Sequence, residues 1–212
     1  MERNNMKNKA ESIKMIILMG ALWGICEATI GYGLHFLPYG LSGMFMFPIG
    51  MYFMYNAYKK SDNKNAVLWV GMIAAMIKFV DLLLPTRSPV SVINPAVSIL
   101  LESLVVFAFV KVYKAKRTVV ASYVIGLSWI VLFTLVQTLV FRPEIGLYTL
   151  PFAQFVLFIL ANALVSGTFI AIYLKNEHTF EWKINPEKIS VVIPVFSILL
   201  ALSLEITNSL IF

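Results

Sequence analysis

The chain has 212 residues, of which 59% are hydrophobic and only 13% charged, roughly half the charged share of an ordinary soluble domain. Its net charge of +6 lies in short segments between apolar runs, with no basic face or aromatic-interleaved patch, so the excess does not point to nucleic acid. One cysteine, Cys26, excludes an intramolecular disulfide and any cysteine-based metal spacing, and nucleotide hydrolysis on this chain is excluded because no P-loop is present.

The apolar runs are about 18 to 25 residues long, the length a helix needs to cross a hydrocarbon core. They predict an all-α integral membrane protein, a single polytopic domain over 1–212 forming a bundle of about seven transmembrane helices. The spans fall at about 13–37, 41–58, 67–85, 94–113, 119–141, 150–174 and 189–212. A basic arm precedes the first run, as in a signal peptide, but the run exceeds 20 residues and lacks a small-residue cleavage site, so it reads as a retained span. Alternate loops carry the positive charge: Arg3, Lys7, Lys9 and Lys14, then Lys59, Lys60 and Lys64, then Lys111, Lys114, Lys116 and Arg117, then Lys175, Lys183 and Lys188. The intervening loops hold only Arg87 and Arg142. The positive-inside rule then places the N-terminus inside and the C-terminus outside a cell membrane, bacterial or archaeal, crossed several times.

Polar residues within the spans fall into stripes. At about 100° per residue, Gly20, Gly24, Glu27, Ala28, Gly31 and His35 share one arc of the first span. The second carries Pro48 at mid-helix, which frees a carbonyl one turn earlier, and the adaptable packing residues Met44, Met46, Met51 and Met54. Gly71, Ala74, Ala75, Lys78 and Asp81 share a face of the third. Asn94, Ser98 and Glu102 form a stripe on the fourth, with Asn94–Pro95 read as N-cap and first helical residue. Thr134, Gln137 and Thr138 cluster on the fifth, Gln154 and Asn162 on the sixth, and Ser197, Ala201, Glu205, Asn208 and Ser209 on the seventh.

Given the alternating directions of the spans, these groups concentrate in the outer half. A charged side chain near a helix centre costs about 2.5–3.5 kcal/mol on insertion scales, so they must pair, lose their charge, or face water and a ligand. The pattern predicts an outward-facing polar chamber lined by Glu27, Lys78, Asp81, Asn94 and Glu102, with His35 near its mouth. Glu27, His35, Asp81 and Glu102 have suitable chemistry for a metal, but no HExxH, HxH or CxxC spacing supports one, and no cofactor is expected. No Gly-x-Ser-x-Gly elbow points to a serine nucleophile.

The ladder Gly20-x-x-x-Gly24-x-x-x-Ala28 allows close helix approach, within this bundle or against a partner. It is similar to the small-xxx-small motif in the first helix of the S components, the substrate-binding membrane subunits of energy-coupling factor (ECF) transporters, and the outer chamber resembles theirs. The resemblance implies capture of a small polar, vitamin- or nutrient-like solute, with separate ATPases and a coupling subunit that docks on Gly20, Gly24 and Ala28. A seventh span departs from the usual six helices of that family. The alternatives are a stand-alone proton-coupled carrier, an intramembrane enzyme acting on a lipid or isoprenoid, and an assembly subunit.

Overall fold

The computed structural model describes residues 2–34, 41–84, 88–112, 119–142, 149–183 and 185–211. Helix α1 (Glu2–Cys26) runs through a π turn (Glu27–Gly31) into the short α2 (Tyr32–Leu34). After it come α3 (Leu41–Ser61), α4 (Ala66–Phe79) with a 3₁₀ turn (Val80–Leu83), and α5 (Pro89–Val112). Helix α6 (Val119–Val136) ends in a second π turn (Gln137–Phe141) and is followed by α7 (Phe152–Lys175), the short α8 (Glu177–Phe180) and α9 (Val192–Ile211). No strand occurs among the described residues.

Among the described residues, six segments are long and apolar enough to cross a membrane: Lys9–Leu34, Ala66–Leu83, Pro89–Val112, Val119–Phe141, Phe152–Lys175 and Val192–Leu210. Helix α3 has 21 residues, about 31 Å of helix, but its three tyrosines, Asn56 and Pro48 make it less apolar. The reason lies in its position. It packs against α1, α4, α5 and α7, so most of its surface meets protein and little of it has to be soluble in lipid. Exposed apolar side chains gather instead on the peripheral helices, among them Leu127 and Leu135 of α6, Leu157 and Leu164 of α7, and Phe196 and Leu199 of α9.

Two prolines illustrate how the bundle repairs its backbone. Pro48 has no N–H to offer the Met44 carbonyl; the Ser166 hydroxyl of α7 donates to that carbonyl at 3.1 Å, fully buried. The freed acceptor is thereby spent on joining α3 to α7. Pro95 does not open its helix, contrary to the expectation from Asn94–Pro95. Helix α5 starts at Pro89 and Pro95 lies inside it. Pro89 takes the tolerated first position, and the carbonyl that Pro95 leaves free belongs to Ser91, an exposed residue. Asn94 is consequently a side chain on a helix face, not a cap.

Helix α9 is fastened along α1 and α4. Lys14 donates to the Ile189 carbonyl at 2.8 Å, Asn208 donates to the Ala28 carbonyl, and Glu205 meets Lys78. At the opposite end of α3, Asn56 is 1% exposed and fully engaged. Its amide donates to the Tyr52 carbonyl at 2.8 Å and the Tyr173 hydroxyl at 3.0 Å, and its oxygen accepts from the Trp182 amide at 3.0 Å. Beside it Lys59 pairs with Glu177, and Lys60 with Glu181 at 2.9 Å. Hydrogen bonding to Lys60, with the added charge of Lys59, holds the Glu181 carboxyl below the usual range. Gln154, expected on an interior face of α7, is exposed near its start; one polar residue at a helix end reaches the surface without an interior partner.

Candidate functional site

The Glu27 carboxylate stands at the first position of the π turn that ends α1. Such a turn carries an additional residue and rotates the next stretch of helix around the axis, and π turns recur at functional sites. The Trp23 indole, one turn earlier and itself fully buried, donates to Glu27 Oε1 at 3.1 Å. Glu27 Oε2 lies toward Gly31, where an added Cβ would come within 2.9 Å of it. A side chain at 31 would push the carboxylate away.

Glu102 reaches the same region from α5. It is 2% exposed, its Oε2 has no hydrogen-bond partner among the described residues, and Ser98 lies one turn before it within hydrogen-bonding reach. Space for both carboxylates comes from Gly50 of α3. A Cβ there would stand 2.5 Å from Trp23 Cζ2 and 3.1 Å from Glu102 Oε2. Glu27 and Glu102 are close enough for their charges to interact.

The two carboxylates line one cavity of about 210 Å³, below the usual range for drug-sized ligands. Glu27 and Glu102 line it together with the apolar walls Met46, Ile99, Trp129 and Phe133. Ser42, Gly43 and Asn94 line the part nearer the helix ends. Along α5, Asn94 to Glu102 spans eight residues, about 12 Å. Asn94 is held by reciprocal amide hydrogen bonds with Gln137, the first residue of the second π turn. Both π turns therefore place a polar side chain at or beside this cavity.

The aromatic part of the wall is a stack. Trp129 is 1% exposed and lies between Phe47, with centroids 5.1 Å apart, and Phe133, 5.5 Å away. The two phenyl rings are tilted from the indole plane by only 12° and 18°. Trp129 fits because position 43 is glycine: any Cβ there would overlap the indole. The Trp129 Nε1 is buried without a hydrogen-bond partner among the described residues.

Of the residues singled out from sequence, Glu27, Asn94 and Glu102 come together here. Lys78 and Asp81 do not line the cavity. They form a separate buried cluster with Glu205 of α9, in which Lys78 meets Asp81 at 3.2 Å and pairs with Glu205. Asp81 and Glu205 are each 2% exposed. Lys78 is thus matched by two carboxylates of its own, and lies close enough for its charge also to act on Glu27. His35 falls outside the described residues. The small-residue ladder faces the interior: added Cβ atoms at Gly20 and Gly24 would come within 2.7 Å of Ile73 and Ile77 of α4, respectively. Ala28 is 2% exposed, its carbonyl occupied by Asn208. This ladder is the contact between α1 and its own neighbours.

Trp129, Phe133 and Ser42 carry no polar-stripe signal, and sequence reasoning passed over them; Met46 was read only as a packing residue. The readable hint was the pairing of α3 glycines at 43 and 50 with tryptophans at 129 and 23, large rings that need small facing residues. Among the described residues, no lysine, arginine or histidine lines the cavity, and no group of three or more metal-ligating side chains occurs. The donor set consists of two carboxylates, amide and hydroxyl groups, and an aromatic wall. No protein-family model, curated protein or solved structure matches this chain, so its chemistry rests on its own residues.

Proposed function

We propose that the protein is a seven-span membrane transport protein that binds a small polar solute in this cavity, as the substrate-capture subunit of a multi-subunit importer. The observation that carries the proposal is the convergence of Glu27 and Glu102, from two different helices, on one cavity where a buried carboxylate oxygen lacks a partner among the described residues. Lys78 answers Asp81 and Glu205, whereas among the described residues no cation lines the cavity beside Glu27 and Glu102. Helix α3 serves as the seventh span, central and shielded from lipid. Lys59, Lys60, Lys175 and Lys183 lie at the end remote from the cavity, so the positive-inside rule turns that end to the cytoplasm and the cavity outward.

The ATPase and coupling partners follow from the likeness to S components. With Gly20 and Gly24 packed on α4, a coupling subunit would engage another face of the bundle. A second reading, a proton-coupled carrier working alone, draws on the Lys78–Asp81–Glu205 cluster, three ionisable groups between helices beside the cavity.

Purified protein incubated with a small-molecule extract and analysed by mass spectrometry should retain a discrete solute, and Glu102→Gln should lose it. Liposomes containing only this chain should accumulate none of it. Accumulation driven by a pH gradient would favour the lone carrier, whereas turnover of a lipid by the purified protein would overturn both transport readings. Absence of any retained solute would remove the capture reading.

A further inference from the structure

We propose that the ligand of this cavity is a small organic cation with a flat unsaturated or aromatic part, its positive group held between Glu27 and Glu102 and its ring against the Phe133 side of the aromatic wall. The inference rests on the solute-binding reading above and names the substrate class of that site.

Three observations combine. Glu102 is 2% exposed, lines the cavity, and leaves Oε2 without a partner among the described residues. A buried carboxylate oxygen in that state calls for a donor, preferably a charged one. Glu27 uses Oε1 on Trp23 and has Oε2 on the Gly31 side, where the absence of a side chain leaves it room. Among the described residues no cation lines the cavity, so a cationic ligand would bring the compensating charge that the two carboxyls otherwise avoid needing only by holding protons. The third observation is the aromatic wall: Trp129 has its faces covered by Phe47 and Phe133, but Phe133 is half-buried and lines the cavity, a ring that attracts both cations and flat groups.

A bare divalent ion fits less well. At about 210 Å³ the cavity is far larger than an ion, two carboxylates do not complete a coordination shell, and a stacked indole offers a metal nothing. An anion would meet two like charges and no matching cation. Ser42, nearer the helix ends, offers a hydroxyl to a polar substituent on the ring.

Three probes of one shape and different charge test the idea: benzylammonium, benzyl alcohol and benzoate, titrated calorimetrically into detergent-purified full-length protein. Benzylammonium should bind at least tenfold more tightly than the other two, and Glu102→Gln should abolish that preference. Glu27→Gln serves as a second variant, with size-exclusion profiles confirming that each is folded. Equal or tighter binding of benzoate or benzyl alcohol overturns the inference, as does a preference that survives both variants. Should none of the three bind, the cell extract is split on cation- and anion-exchange resins and each fraction is tested for thermal stabilisation. Stabilisation confined to the cation-exchange-retained fraction and lost in Glu102→Gln supports the proposal. Stabilisation by the anionic or neutral fraction, or by magnesium or cobalt chloride alone, overturns it. A protein that no fraction stabilises refutes the solute-binding reading itself.

Discussion

Gly50→Ala is a one-carbon test of how the cavity is built. The added Cβ would lie 2.5 Å from Cζ2 and 2.7 Å from Cε2 of Trp23, and 3.1 Å from Glu102 Oε2. Carbon atoms rest at about 3.5–4.0 Å, so the ring and the helix must separate by about 1 Å. Trp23 is fully buried, and its indole is rigid with no flexible end to swing aside. Overpacking of this kind costs about 1–3 kcal/mol. Moving the indole also disturbs its 3.1 Å hydrogen bond to Glu27, so both carboxylates lose their placement together. The free energy of unfolding in mixed micelles should fall by about 1–3 kcal/mol, and affinity for the retained solute should fall at least tenfold. Trp23→Phe removes the ring atoms that would clash, so the double variant should be more stable than the sum of the two single losses implies. Losses that add to within about 0.5 kcal/mol, or no loss in Gly50→Ala, would refute the claim that this glycine sets the approach of α3 to the cavity carboxylates.

Other perturbations separate binding from architecture. Lys78→Met leaves Asp81 and Glu205 buried without their cation and should cost about 3–5 kcal/mol, measured by unfolding in mixed micelles; the neutral variant Lys78→Met/Asp81→Asn/Glu205→Gln should recover most of it. Solute affinity in that triple variant should stay within a few-fold of the parent. Ser166→Ala strands the Met44 carbonyl that Pro48 already leaves without an N–H, and should cost about 1–3 kcal/mol; replacing Pro48 by alanine in the same chain should reduce the loss. At the other end, the Glu181 carboxyl is held below its usual range by Lys60 and Lys59. Its contribution is therefore complete above the ordinary carboxylate range and disappears only as the pH falls below that range. Hydrogen exchange at the Trp182 amide, which donates to Asn56, should stay protected through mild acid and open only in strong acid. Lys60→Met should open it at neutral pH.

The architecture was readable from sequence wherever the chain meets lipid. Seven apolar runs are legible by length, and among the described residues six of them are helices apolar enough to cross a membrane, because a lipid-facing helix needs an apolar surface all along its exposed side. Helix α3 is the instructive exception. Its tyrosines and Asn56 weaken the hydropathy signal since α3 is solvated by other helices, and Asn56 is acceptable only because Tyr173 and Trp182 meet it from distant parts of the chain. The stripe Asn94–Ser98–Glu102 was likewise legible, since helical periodicity alone puts those residues on one face.

Periodicity gives a direction around one helix axis, whereas a site requires the angles of several helices relative to each other. Seen along the chain, Lys78 and Asp81 are as polar and as deep as Glu27 and Glu102, and nothing local separates the two pairs. The packing of α9 separates them by bringing Glu205 to Lys78, while α3 and α6 bring Gly50 and Trp129 to Glu102. The sequence alone determined that buried charge must be answered somewhere inside this bundle, because the cost of exposing it to lipid is set by residue type. Which carboxylates are answered by lysine, and which are left facing a cavity, was decided only by the tertiary arrangement, because Coulomb attraction and hydrogen bonding depend on distance across the bundle and not on spacing along the chain.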